Sequence, residues 1–114
     1  MLTPGELVHF KKDDDLKDIL IKNKNQVLFV DFNTEWCPPC KVLGPKLEKY
    51  CKDNKYCLLS VDAEENEDLT EELGIENIPH VFLFVKGKKV LDFNGANDAL
   101  FDKCTKVINE KLKQ

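Results

Sequence analysis

Val27-Leu28-Phe29-Val30-Asp31-Phe32 and, four residues on, Trp36-Cys37-Pro38-Pro39-Cys40-Lys41 decide how this chain folds. The first run is too continuously apolar to have a wet face, so it reads as a strand with helices on both sides of its sheet. The second sets two cysteines where a strand gives way to a helix. From about Cys37 that helix carries Val42, Leu43, Leu47 and Tyr50 as its apolar positions. Pro45 lies inside it and is expected to kink it, since proline removes a hydrogen bond and clashes one turn back.

Working outward, the elements alternate. A short strand near Leu7 to Phe10 leads to a helix opening at the Asp13-Asp14-Asp15 cap, with Leu16, Ile19 and Leu20 on one face. After the cysteine helix comes a third strand, Tyr56-Cys57-Leu58-Leu59-Ser60-Val61. A short acidic helix then ends near Leu73-Gly74, where glycine suits the position after a helix. Val81-Phe82-Leu83-Phe84-Val85 and Lys89-Val90-Leu91-Asp92-Phe93 flank Lys86-Gly87-Lys88 and read as a hairpin. A last helix, about Asn97 to Leu112, aligns Leu100, Cys104, Val107, Ile108 and Leu112. The order β-α-β-α-β-α-β-β-α is α/β: a central mixed five-stranded sheet flanked by four helices.

The chain has 114 residues, enough for one core and read as a single domain over 1–114. The apolar runs are far too short to span a bilayer. The N-terminus lacks a basic segment followed by an apolar one, so the cytoplasm is the expected compartment and no membrane partner is expected. Net charge is −4, with acids at Asp13 to Asp15 and Asp62 to Glu72 and lysines toward the C-terminus. Neither run interleaves bases with aromatics, which argues against nucleic acid. Five cysteines are an odd number for a disulfide scaffold; reduced thiols with one special pair is the simpler account.

A CxxC on the first turn of a helix has a chemical purpose. Unpaired N–H groups and the positive helix end favour Cys37 as a thiolate, the form that attacks a disulfide. Two intervening residues bring Cys40 close enough to attack the mixed disulfide and release the reduced substrate. Cys37 is then the exposed nucleophile and Cys40 the more buried resolving thiol. Asp31 interrupts the strand that feeds this turn, on the side of Val27 and Phe29. Burial there raises its pKa toward neutrality and suits it to exchange the Cys40 proton, through a water. An edge or bulge aspartate facing solvent is the alternative.

These residues resemble the thioredoxin family over nearly the whole chain. Trp36-Cys37-Pro38-Pro39-Cys40-Lys41 differs from the family's Trp-Cys-Gly-Pro-Cys-Lys at one position. Asp31-Phe32 is similar to its buried Asp-Phe pair, and Pro45 to the proline of its active-site helix. Ile78-Pro79 resembles its cis-proline loop, Gly87 its hairpin glycine, and Gly95 the glycine beside its substrate groove. Phe93-Asn94-Gly95-Ala96-Asn97 is similar to the Phe-Ser-Gly-Ala-Asn run of animal members. The resemblance implies a thioredoxin fold and protein-disulfide reductase activity, serving cellular redox balance and electron donation to clients. It implies a substrate surface of Trp36, Pro38, Pro39, Ile78, Pro79 and Gly95, along which a client segment pairs like an added strand. Trp36 as a packing aromatic is the other reading. No bound cofactor or metal is implied, only the redox-active Cys37–Cys40 disulfide, with electrons from NADPH through thioredoxin reductase. Disulfide-containing client proteins are the other partners, and the chain is expected to act as a monomer.

Three departures from the family pattern matter. Pro38 removes an N–H near the Cys37 sulfur. His80 stands where threonine is common and either titrates near the active site or faces solvent. Leu58 takes a place where many bacterial members have a lysine, which favours a still higher Asp31 pKa. Cys57 and Cys104 read as small buried hydrophobes. Cys51 is expected to be more exposed and open to a regulatory disulfide. Cys51 with Cys57 makes a poor second half of a zinc site, since helix and strand separate them. The Asp62-Ala63-Glu64-Glu65-Asn66 run lacks the glycine a calcium loop needs, with Glu67 in its place. A non-catalytic module would be expected to lose a cysteine or the cis proline, and a secretory isomerase to carry a Cys-Gly-His-Cys-like centre.

Overall fold

The computed structural model describes residues 1–95 and 97–114; Ala96, part of the glycine-containing run quoted above, lies outside them. Its elements are β1 (Leu7–His9), α1 (Leu16–Lys22), β2 (Val27–Asn33), α2 (Pro38–Asn54), β3 (Cys57–Asp62), α3 (Glu67–Glu72), β4 (His80–Val85), β5 (Lys88–Phe93) and α4 (Asp98–Leu112). They form one mixed sheet in the order β1-β3-β2-β4-β5. β2 runs parallel to β3 and antiparallel to β4, which explains its unbroken burial: it has neighbours at both edges and helices over both faces.

Alternation along β2 divides the core. Leu28, Val30 and Phe32 join Leu16, Leu59, Val61 and Phe82 under α1 and α3. Phe29 joins Leu43, Leu47, Leu58, Leu83 and Ile108 under α2 and α4. Asp31, two residues beyond Phe29, is therefore delivered to the α2/α4 face, on the expected side.

The expected cap of α1 is in place: Asp15 accepts from the N–H groups of Lys17 and Asp18. Asn97, read as the start of the last helix, is its N-cap and accepts from Leu100 N. Lys86 and Gly87 form the hairpin turn with φ of 56° and 79°. Two consecutive positive φ values make a two-residue turn, so β5 starts one residue earlier, at Lys88, than the sequence pattern suggests; β4 gains His80 at its other end.

Some expectations need correction. Val42 is half exposed, because Cys40, Leu43, Leu47 and Cys51 already fill the inward stripe of α2 and the residue beside Leu43 is turned about 100° away. Leu112, the last residue of α4, is also half exposed; Phe101 packs in the α2/α4 core instead. Cys51 is 1% exposed and belongs to that same core, which removes the basis for a regulatory disulfide. Pro45 lies inside the 17-residue α2, where the sequence places it, and is exposed. Among the described residues no helix is long and apolar enough to cross a membrane.

Candidate active site

β2 points the chain at the site and α2 receives it. Cys37 is the N-cap of α2, with extended backbone (φ −96°, ψ 104°), and is joined to Cys40 in a disulfide with Cα atoms 5.2 Å apart. Cys40 N donates to Cys37 Sγ at 3.2 Å. Pro38 and Pro39 occupy the first two helical positions. Proline suits that start conformationally, yet neither residue has an N–H. The amide of Cys40 is thus the first-turn donor aimed at the sulfur, and the helix dipole acts through it.

The expected contrast in exposure between the two cysteines is absent: Cys37 is 8% and Cys40 7% exposed. In the disulfide both sulfurs share one capped turn. What separates the cysteines is position, since Cys40 lines a cavity of about 250 Å³ that it shares with Asp31, Asn33, Leu58 and Ser60. Asp31 is 6% exposed, so the buried reading holds over the solvent-facing one. Burial pushes its carboxyl up to about 6, and the side-chain amide of Asn33 opposes the rise. Leu58 gives this wall an aliphatic surface, as expected from its departure from the bacterial pattern.

Strand register gathers the remaining candidates at one end of the sheet. Phe32 pairs with His80, which sets Pro79 level with the end of β2. Val81 pairs with Phe93, so the chain beyond β5 brings Gly95 toward that same end. The Ile78–Pro79 bond is cis, Pro79 is buried and Ile78 half-buried. A side chain added at Gly95 would meet Leu100 Cδ1 at 3.4 Å, a tight fit. Trp36 is 75% exposed, against the packing-aromatic reading, and Pro38 and Pro39 are exposed beside it.

His80 is half-buried, against its solvent-facing reading. Its register partner Phe32 puts it on the α1/α3 face, away from Asp31. Its ring lies 4.7 Å from that of Phe82. Its Nε2 is 3.4 Å from Asp92 Oδ1, within ion-pair range but without hydrogen-bond alignment. Sequence reasoning missed Asn33 and Ser60. Asn33 was legible as the second residue beyond Asp31 on one strand face. Ser60 needed the β2–β3 register, which no single-strand pattern contains. Among the described residues no group of three His, Cys, Asp or Glu side chains could hold a metal ion.

Fold and site together define a dithiol–disulfide exchange protein: two cysteines on the first turn of a helix, over a buried carboxyl. Comparison with known proteins agrees. The thioredoxin family model matches residues 7–107. Thioredoxin-T of Drosophila melanogaster is 35% identical over 103 residues, 88% of this chain and 63% of the fly protein. The chain therefore spans just under two thirds of that relative. The structure of reduced Schistosoma mansoni thioredoxin pre-protein superposes with a TM-score of 0.77 at 30% identity, covering 92% of this chain and 97% of that one. A chain from a complex of ferredoxin:thioredoxin reductase and thioredoxin f2 superposes at 0.78 with 25% identity, covering 96% and 98%. The chain belongs to the thioredoxin family, oxidoreductases that act on disulfides.

Proposed function

We propose that this chain is a protein-disulfide reductase acting as one domain, with Cys37 as nucleophile, Cys40 as resolving thiol and Asp31 as proton relay. The observation that carries the reading is the shared cavity of Cys40 and Asp31 beneath a cysteine-capped helix. The Cys37 thiolate attacks one sulfur of a client disulfide, and the other leaves as a thiolate. Asp31 takes the proton of Cys40, whose sulfur then attacks Cys37 Sγ and expels the second client thiolate. The client gains two electrons and two protons, one from Cys40 through Asp31 and one from the solvent into which Cys37 ionised; the protein is left with the Cys37–Cys40 disulfide.

Trp36, Pro38, Pro39, Ile78, Pro79 and Gly95 form the client surface in this reading, supported by their common end of the sheet and the exposure of Trp36. A thioredoxin reductase returns the dithiol state, with NADPH as the electron source. The relative in complex with a ferredoxin-dependent reductase supports a partner of this kind. The three free cysteines, Cys51, Cys57 and Cys104, suit a reducing compartment such as the cytoplasm. The test is insulin reduction driven by dithiothreitol. The wild type should accelerate it, and Cys37→Ser and Cys40→Ser should fall to the reagent background. A wild type no faster than the reagent alone contradicts general disulfide reduction. Recycling with NADPH and a thioredoxin reductase tests the electron source; failure there with ready recycling by a ferredoxin-dependent enzyme would replace it.

A further inference from the structure

Asp31 Oδ1 is buried and has no hydrogen-bond partner among the described residues. Such an atom is costly unless a donor or water on the cavity side answers it. Ser60 is well placed to do so. It stands opposite Asp31 in the parallel β2–β3 register, so both side chains leave the sheet on one face, from backbones about 5 Å apart. Asn33, two residues beyond Asp31, returns to that face. Its Nδ2 donates to Ser60 Oγ at 2.9 Å and to the Asp31 backbone oxygen at 3.0 Å. Ser60 Oγ therefore accepts from Asn33 and keeps its own hydrogen to give. All three residues line the cavity shared with Cys40, which has room for water.

Building on the reading of Asp31 as relay, we propose that Ser60 is a positioning residue for it: held by Asn33, its hydroxyl donates to Asp31 Oδ1 through one water in the shared cavity. The hydroxyl stabilises the carboxylate that receives the Cys40 proton. Ser60 keeps its own proton throughout; the one transferred moves from Cys40 Sγ to Asp31 and on to the departing client thiolate. The pair restrains the rise that burial imposes on Asp31, in a wall where Leu58 supplies no charge. The other titratable groups facing the cavity are Cys40, Lys41 and Glu48 of α2 and Glu35 of the loop before it, with Cys51 acting on the buried site from further along α2. They are unchanged in the variants below.

The experiment is a carbon-13 NMR titration of the Asp31 carboxyl in the oxidised protein, which needs no turnover, beside the pH profile of insulin reduction. Ser60→Ala should lower the Asp31 ionisation constant about tenfold. Ser60→Thr, which keeps the hydroxyl, should restore it, and Asn33→Ala should shift it less in the same direction. The reduction profile of Ser60→Ala should move toward alkaline pH with the carboxyl. An Asp31 titration unchanged by Ser60→Ala overturns the proposal. A shifted titration with an unmoved reduction profile keeps the Ser60 contact and removes Asp31 from the relay.

Discussion

Cys37 and Cys40 differ little in exposure from Cys51, Cys57 and Cys104: 8% and 7% against 1%, 0% and 0%. Chemically the two groups are far apart. The first pair sits on the opening turn of α2, where Cys37 Sγ accepts an amide hydrogen and the helix end favours negative charge. The other three lie in apolar core. Burial raises all three thiols, Cys104 up to about 11, and the neighbouring Cys57, Cys104 and Asp31 push Cys51 further up. In the proposed reading, reactivity follows from the direction of nearby dipoles and from the cavity beside Cys40, not from depth.

The largest expected effect would break this comparison if it failed. Cys37→Ser should abolish insulin reduction while Cys104→Ala leaves its rate near wild type. Comparable losses in both would mean that the buried thiols take part.

Asp31 comes next, the one buried carboxyl among the described residues. Its folded pKa of about 6 lies above the usual carboxylate value of 3.8. The folded state thus binds more protons than the unfolded one between these values, and stability falls as pH rises from about 4 to 6. Above that the full penalty persists, about 2–3 kcal/mol. Asp31→Asn should recover stability of that order at pH 7, with no gain at pH 3, and should slow reduction. Denaturant unfolding at the two pH values checks the sign; equal gains at both would refute the linkage.

Smaller effects sharpen the contrast. Cys51→Ser puts a hydroxyl into the apolar core and should cost about 1–3 kcal/mol while leaving the reduction rate intact. A rate loss at unchanged stability would give Cys51 a role in the chemistry. Pro39→Ala returns an N–H to the second helical position, one of the two an N-cap side chain uses. It should raise the ionisation constant of Cys37 several-fold, read from thiolate absorbance. No change would show that the Cys40 amide alone saturates the sulfur.

The sequence carried the architecture because strand alternation and cap residues are local signals. Val27 to Phe32, the Asp15 and Asn97 caps and Gly74 after α3 all stand where their local chemistry suggests. The reactive pair was legible because CxxC and its helix start are contiguous. Cys51 and Val42 were misplaced for one reason: on α2 the inward stripe is fixed by rotation, and neither apolar nor thiol character reveals which residues fall on it. Ser60 was invisible because its partner is set by the pairing of two strands far apart in the chain. His80 likewise takes its face from Phe32 on the neighbouring strand.

The most direct test of the central claim is to mix the reduced Cys40→Ser and Cys37→Ser variants separately with a disulfide-bonded client and separate the products without reductant. Cys40→Ser should accumulate a covalent client adduct through Cys37, released by dithiothreitol, and Cys37→Ser should form none. An adduct on Cys37→Ser, or on Cys51, Cys57 or Cys104 in either variant, would contradict the assignment of the chemistry to the opening turn of α2.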